Sequence, residues 1–301
     1  MTTHGRFAAT FAALWLAGGS FGVYAYGANY DQYRGFQAPH DPPAVRAGTV
    51  KTFSFYSPAL GQTRHYDVYL PPGYSAGGDR RYGVMYLLHG APGSPRTFIA
   101  AGAAGVALDT LVAQRAISPF LIVMPDGHDG SFASDTEWAD TAHGRYESFV
   151  LDVVRDVDRR FPTVADRRRR VIAGNSEGAY AAANLGLRHL RTFGALEAWS
   201  GYYQQTRTGV FANSTPAALR SYSPADAVRG LHRQIARLPL RAYLYAGAQD
   251  PDVVQLAPFA AELRAAGAHV EARVLPGRHD WRLWRAQTPA MLRWASAAMA
   301  S

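Results

Sequence analysis

Short apolar runs without a polar break recur along this chain, and helix-length segments separate them. Val84-Met-Tyr-Leu-Leu88 and Phe120-Leu-Ile-Val-Met124 are continuous, as strands buried on both faces must be. Between them, residues 98–116 are Ala-rich and read as a helix. Residues 146–161 carry a helical period through Phe149, Val150, Val153, Val157 and Phe161. Further strands are expected at residues 171–174, 193–199, 238–246 and 269–275. Helices are expected at 177–190, 253–266 and 281–298. This alternation predicts an α/β fold: one doubly wound, mostly parallel sheet with helices on both faces. Residues 50–56 and 63–70 alternate in polarity around Leu60-Gly61-Gln62, which predicts an N-terminal antiparallel hairpin. The chain of 301 residues is long enough to bury one such core. No internal repeat or second linker divides it, so residues 50–301 are expected to form a single domain.

The amino terminus reads as an address rather than as part of that core. Arg6 precedes a stretch from Phe7 to Tyr30 with no charged residue. Its first half is a good h-region, and the small residues that follow, Gly18-Gly19-Ser20 and later Ala25 and Gly27, suit a cleavage site. The stretch is also long enough to span a bilayer. Residues 1–30 are therefore expected to be a signal peptide or a membrane anchor, with the protein exported, either secreted or held at the outer face of the cytoplasmic membrane. The Pro-bearing segment 31–49 is expected to be a linker.

The chemistry gathers where strands end. Gly174-Asn175-Ser176-Glu177-Gly178 follows a buried strand and opens a helix. A sharp strand–turn–helix elbow of this kind lifts a serine to the carboxyl edge of the sheet, near a helix amino terminus that favours developing negative charge. A serine hydroxyl needs a general base. The chain order for this elbow is serine, acid, histidine. The strand ending near Ala246 runs into Gly247-Ala-Gln-Asp250-Pro-Asp252, and the strand ending at Leu275 runs into Pro276-Gly-Arg-His279. Ser176, Asp250 and His279 thus become the expected triad. Asp252 is the alternative acid, although its place before a helix also suits an N-cap. A Gly-rich loop, His89-Gly90-Ala91-Pro92-Gly93-Ser94, follows the strand at Val84–Leu88 at the position of an oxyanion hole. Its donors are expected to be the N–H groups of Ala91 and Glu177, since Pro92 has none to give. His128 and His143 lie in and beside an acidic stretch whose spacing fits no compact metal-ligand motif, so no metal is expected. Phe132, Trp138, Trp199, Tyr202 and Tyr203 fall at or beyond strand ends, where either core packing or the lining of an acyl pocket would use them.

These residues resemble the bacterial putative-esterase family that includes esterase D, feruloyl esterases, enterochelin esterases and the antigen 85 mycolyltransferases. The resemblance rests on Tyr66-Asp-Val-Tyr-Leu-Pro-Pro-Gly-Tyr74, Leu87-Leu-His-Gly-Ala91, Val123-Met-Pro-Asp126, the elbow, and Pro276-Gly-Arg-His-Asp-Trp281. It implies an α/β-hydrolase fold acting on carboxylic esters without a cofactor, with Ser176, Asp250 and His279 as triad and Ala91 and Glu177 as oxyanion donors. Many members carry Met after the nucleophile, where Glu177 stands here. Three functions compete. One is a serine ester hydrolase working through an acyl-enzyme. The second is an acyltransferase of the antigen 85 type that passes the acyl group to a sugar or lipid alcohol. The third is a non-catalytic binding protein on the same fold.

Composition narrows the partners. With no Cys, there is no disulfide framework and no cysteine nucleophile. The net charge is +8, and of 31 Lys and Arg residues only Lys51 is Lys. A basic chain invites a nucleic-acid reading, but no nucleic-acid motif accompanies the arginines. The run Arg167–Arg170 falls in the turn before the elbow strand, at the sheet edge opposite Ser176, and is expected to be a solvated face. The expected partner is a small-molecule or lipid ester. For an exported protein the positive charge adds attraction to anionic membrane lipid or cell-envelope polymers.

Overall fold

A computed structural model describes residues 32–130 and 135–300 of the protein. The leader expected over residues 1–30 and the aromatic Phe132 lie outside the described residues. In chain order the elements are β1 (Thr49–Ser57), β2 (Gln62–Leu70), β3 (Val84–Leu88), α1 (Pro95–Ala100), α2 (Ala104–Ala113) and β4 (Leu121–Pro125). There follow β5 (Asp140–Thr141), β6 (Gly144–Arg145), α3 (Tyr146–Arg160), β7 (Arg170–Asn175), α4 (Glu177–Arg188) and β8 (Ala195–Trp199). Three short helices, α5 (Pro216–Ser221), α6 (Pro224–Ala227) and α7 (His232–Arg237), precede β9 (Arg241–Gly247), α8 (Val253–Ala265), β10 (His269–Leu275) and α9 (Trp281–Ala300).

Eight strands form one sheet in the order β1-β2-β4-β3-β7-β8-β9-β10. The six from β4 to β10 are parallel. The β1–β2 hairpin joins antiparallel, through β2 against β4. The expected doubly wound sheet with an N-terminal hairpin is therefore present. The unbroken apolar runs have a direct cause. Successive residues of a strand point to opposite faces, and here both faces are covered. In β3, Val84, Tyr86 and Leu88 join one core with α3, α4 and α8. Met85 and Leu87 join the other, with α1, α2 and α9. The parallel register brings the carboxyl ends of β3, β7, β8, β9 and β10 to one edge, pairing Leu88 with Gly174, Trp199 with Tyr245 and Gly247 with Leu275.

Two expectations are corrected. The helix expected at 98–116 is broken, because Ala103 takes a left-handed φ of 53° between α1 and α2. Helix α9 holds the break: Thr288 Oγ1 donates to the Gly102 carbonyl at 2.9 Å, and Arg285 to that of Ala101 at 3.2 Å. The arginine run is also less solvated than its charge suggests. Arg170 is buried and paired with Asp158. Arg167 donates to the carbonyls of Leu190 and Pro239 at 2.5 and 3.0 Å. These guanidiniums tie the start of β7 to the segments leading into β8 and β9, so part of the charge is structural. Among the described residues no helix is long and apolar enough to cross a membrane.

Candidate active site

The turn from β7 into α4 is shaped by what presses on it. A Cβ at Gly178 would overlap the Leu88 carbonyl, and one at Gly90 would lie 2.9 Å from Ser176 Cβ. Glycine is thus required where the β3 loop crosses the elbow. Ser176 itself sits at φ 57° and ψ −124°, a conformation L-residues avoid. Its N–H is held by the Trp199 carbonyl at 3.0 Å. Strain of this kind is retained where surrounding contacts over-determine it, and its result is a half-buried hydroxyl at the carboxyl edge of the sheet.

His279 and Asp250 meet that hydroxyl. His279 Nε2 lies 2.9 Å from Ser176 Oγ, and His279 Nδ1 lies 2.9 Å from Asp250 Oδ2. The Asp250 carboxyl is buried, and its Oδ1 accepts the Asp252 N–H at 3.0 Å. Burial alone would push its acidity down. Hydrogen bonds from His279, Ser200 and the Asp252 backbone outweigh burial and hold the carboxyl below the usual aspartate range. Asp252, the alternative acid, is at the N-cap position of α8 and receives Gln255 Nε2 at 3.0 Å. The structure thus brings Ser176, His279 and Asp250 into one line and leaves Asp252 out of it.

Two residues that sequence reasoning passed over support this line. Ser200 is fully buried at φ 55°, and its N–H donates to the Tyr245 carbonyl at 2.7 Å. Trp284 Nε1 donates to Ser200 Oγ at 3.1 Å. A hydroxyl that accepts one bond turns its own proton elsewhere, here toward Asp250. Trp284 also packs edge-on against the His279 ring at 5.1 Å. The signal for Ser200 was present, because it directly follows a strand end just as the other site residues do.

The loop expected to hold the oxyanion is pinned from the far side. Gly127 N–H donates to His89 Nε2 at 3.1 Å, which assigns the ring proton to Nδ1, 3.0 Å from the Gly90 carbonyl. Trp138 Nε1 donates to the His89 carbonyl at 3.1 Å. Ala91 is exposed on this loop beside the elbow, and Glu177 is the first residue of α4, where a backbone N–H has no intrahelical partner. Of the aromatics flagged in sequence, Trp138, Trp199 and Tyr203 are buried, while Tyr202 Oη reaches Glu137 at 2.5 Å. Among the described residues no group of three or more His, Cys, Asp or Glu side chains is arranged to hold a metal ion.

The Glu177 side chain turns inward, into an acidic cluster. Its carboxyl is buried beside Asp135 and Glu137, and burial with that like charge pushes it well above the ordinary range. Glu137 accepts from Tyr202 and from Gln205 Nε2 at 3.0 Å, yet burial raises it to about 7. The folded protein therefore keeps a proton on Glu137 that the unfolded chain releases near 4.5. Stability falls as pH rises between those values. Glu137→Gln keeps the acceptor and removes the charge. It is expected to stabilise the protein by about 2 kcal/mol at pH 8 and by little at pH 4. Thermal unfolding at the two pH values reads this; an equal shift at both would overturn it.

Comparison with known proteins comes to the same family. Residues 57–295 match the family described as Putative esterase. The chain is 31% identical over 153 residues to an endo-1,4-beta-xylanase/feruloyl esterase of Xylanibacter ruminicola, a stretch that is 50% of this chain and 21% of that protein. It is 28% identical over 150 residues to the esterase Rv1288 of Mycobacterium tuberculosis, again 50% of this chain and 31% of that protein. The matches thus span less than a third of either relative. Among solved structures, a ferulic acid esterase superposes with a TM-score of 0.75 at 24% identity, over 84% of this chain and 99% of that one. An S-formylglutathione hydrolase from Agrobacterium tumefaciens superposes with a TM-score of 0.70 at 16% identity, over 88% and 100%. These likenesses fix the fold as that of the α/β-hydrolases. The match to the family runs across nearly the whole described sheet and takes in Ser176, Asp250 and His279, so the chain belongs to the putative esterase family.

Proposed function

We propose that the protein is a serine carboxylic-ester hydrolase. The observation that carries this is the unbroken line from Asp250 through His279 to Ser176, with 2.9 Å at each junction. Ser176 Oγ attacks the ester carbonyl while His279 Nε2 takes its proton, and Asp250 fixes the imidazole with its other proton on Nδ1. The Ala91 and Glu177 N–H groups receive the negative charge that develops on the carbonyl oxygen. The tetrahedral intermediate collapses, His279 returns the proton to the departing alcohol, and the acyl group stays on Ser176. Water, deprotonated by His279, then releases the carboxylic acid. The substrate is a small-molecule or lipid ester, and no step calls for a cofactor. The uncharged stretch from Phe7 to Tyr30 supports export ahead of this domain, by cleavage or by anchorage.

Labelling with an alkyl fluorophosphonate, followed by turnover of nitrophenyl esters with and without an alcohol acceptor, tests the proposal. Stoichiometric label on Ser176 and acceptor-independent release of acid are expected. Absence of label would overturn the serine mechanism. Turnover that requires the acceptor would replace hydrolysis with acyl transfer.

A further inference from the structure

Thr136, Glu137 and Trp138, just ahead of β5, touch both sides of the expected oxyanion site. They form a turn closed by the Ala139 N–H on the Thr136 carbonyl at 3.1 Å, with Glu137 and Trp138 at positive φ. On one side, Trp138 Nε1 donates at 3.1 Å to the carbonyl of His89, which lies on the same loop as Ala91. The indole is buried and packs edge-on against the His89 ring at 5.0 Å. Thr136 Oγ1 donates to the Gly127 carbonyl at 3.3 Å, and the Gly127 N–H holds His89 Nε2 at 3.1 Å. On the other side, the buried Glu177 carboxyl accepts the backbone N–H groups of Glu137 and Thr136. The turn is anchored in its own right. The Glu137 carboxyl accepts from Tyr202 Oη and Gln205 Nε2, and the Tyr202 ring stacks on Tyr180 of α4 at 5.1 Å.

Spacing is what these contacts control. An oxyanion hole works when its donors stand about 2.7–3.1 Å from the oxygen of the tetrahedral state rather than that of the ground state. Ala91 follows β3 and Glu177 follows β7, so the chain itself does not fix one donor against the other. We infer that the turn at residues 136–138 is a clamp that sets the distance between the Ala91 and Glu177 N–H groups, with Trp138 and the Glu177 carboxyl as positioning residues. This role rests on the ester-hydrolase reading and adds to it the support that holds the two donors in register. It also gives a use to an acidic side chain beside the nucleophile. Burial, with Asp135 and Glu137 nearby, holds Glu177 toward its protonated form. The carboxyl then accepts its two bonds without setting a full negative charge beside the growing oxyanion.

Two single variants release opposite ends of the clamp. Trp138→Phe keeps an aromatic ring against Gly127 and removes the indole N–H. Glu177→Met keeps the length of the side chain and removes its acceptors. Rates for a nitrophenyl ester are taken per site titrated by an alkyl fluorophosphonate. Each variant is expected to lower kcat by about tenfold or more, short of the roughly 10²- to 10³-fold cost of losing a donor outright, with KM within about twofold. The Ki of phenylboronic acid, which Ser176 converts to a tetrahedral anion, should rise by the same factor. The double variant should lose little more than the worse single one, because either release opens the same clamp. Glu177→Gln keeps an acceptor oxygen and should lose at least about fivefold less than Glu177→Met. Fewer titrated sites at an unchanged kcat per site would reveal a merely structural role and overturn the clamp. Losses that multiply in the double variant would overturn it as well, and either result leaves the hydrolase reading intact. A wild type that neither labels nor turns over would overturn the hydrolase reading, and the clamp with it.

Discussion

Ser176→Ala is expected to lower kcat for ester hydrolysis by about 10⁵- to 10⁶-fold and to abolish fluorophosphonate labelling. The size of the loss follows from what the oxygen does. It forms the bond that carries the acyl group, and the neighbouring Ser200 hydroxyl does not replace it, being buried with its oxygen held by Trp284. Substrate affinity should change little, because the binding contacts and the proposed oxyanion donors remain. Stability should also change little. The Ser176 hydroxyl gives the fold one side-chain hydrogen bond, to His279, and the strained φ of the elbow is borne equally by alanine. A thermal midpoint close to wild type, together with the lost turnover, separates a chemical role from a structural one. Residual activity within tenfold of wild type would place the nucleophile elsewhere.

The reason Ser176, Asp250 and His279 were legible is that each follows a strand of the parallel sheet in the chain, buried in β7 and β9 and at the partly exposed edge in β10. A parallel sheet sends all such ends to one edge, so runs such as Val171–Gly174 and Leu240–Ala246 locate their successors without a structure. The sheet order was not legible. Nothing local says that β4 lies outside β3, or that β2 pairs with β4. Arg170 misled for a related reason: four consecutive arginines look solvated until Asp158, from the end of α3, is folded against one of them. Glu177 was noticed as a departure from the family, but its burial against Glu137 depends on a loop in which Glu137 and Trp138 both take left-handed φ values, 51° and 48°. The stretch before β1 was read as a linker because Pro39, Pro42 and Pro43 punctuate it. Its contact with the fold includes Phe36 seating under Arg285 of α9, a pairing across most of the chain length that no spacing rule encodes.

Asp250→Asn should cost about 10⁴-fold in kcat, while Asp252→Asn should cost less than about tenfold. Both substitutions remove one charge at nearly the same place, so the contrast isolates geometry from field. The carboxylate of Asp250 is surrounded by donors: the Asp252 N–H on Oδ1, the His279 ring on Oδ2, and the Ser200 hydroxyl, itself oriented by Trp284. An asparagine amide has only one acceptor oxygen. Satisfying the fixed backbone N–H of Asp252 and the Ser200 hydroxyl turns that oxygen toward them, and leaves the NH₂ group facing His279 Nδ1. Nδ1 must then accept, which moves the ring proton to Nε2, where it can no longer take the proton of Ser176 Oγ. The imidazole stays in place but in the wrong tautomer. Asp252 has no such hold on the ring, since its side chain receives Gln255 at the start of α8. Its replacement by Asn keeps an acceptor for Gln255 and leaves its own N–H on Asp250. Steady-state kinetics on one nitrophenyl ester, with the His279 ring protons followed by NMR in both variants, reads the two effects together. A larger loss at Asp252 than at Asp250 would show that the acid of the triad is not the one the hydrogen bonds select.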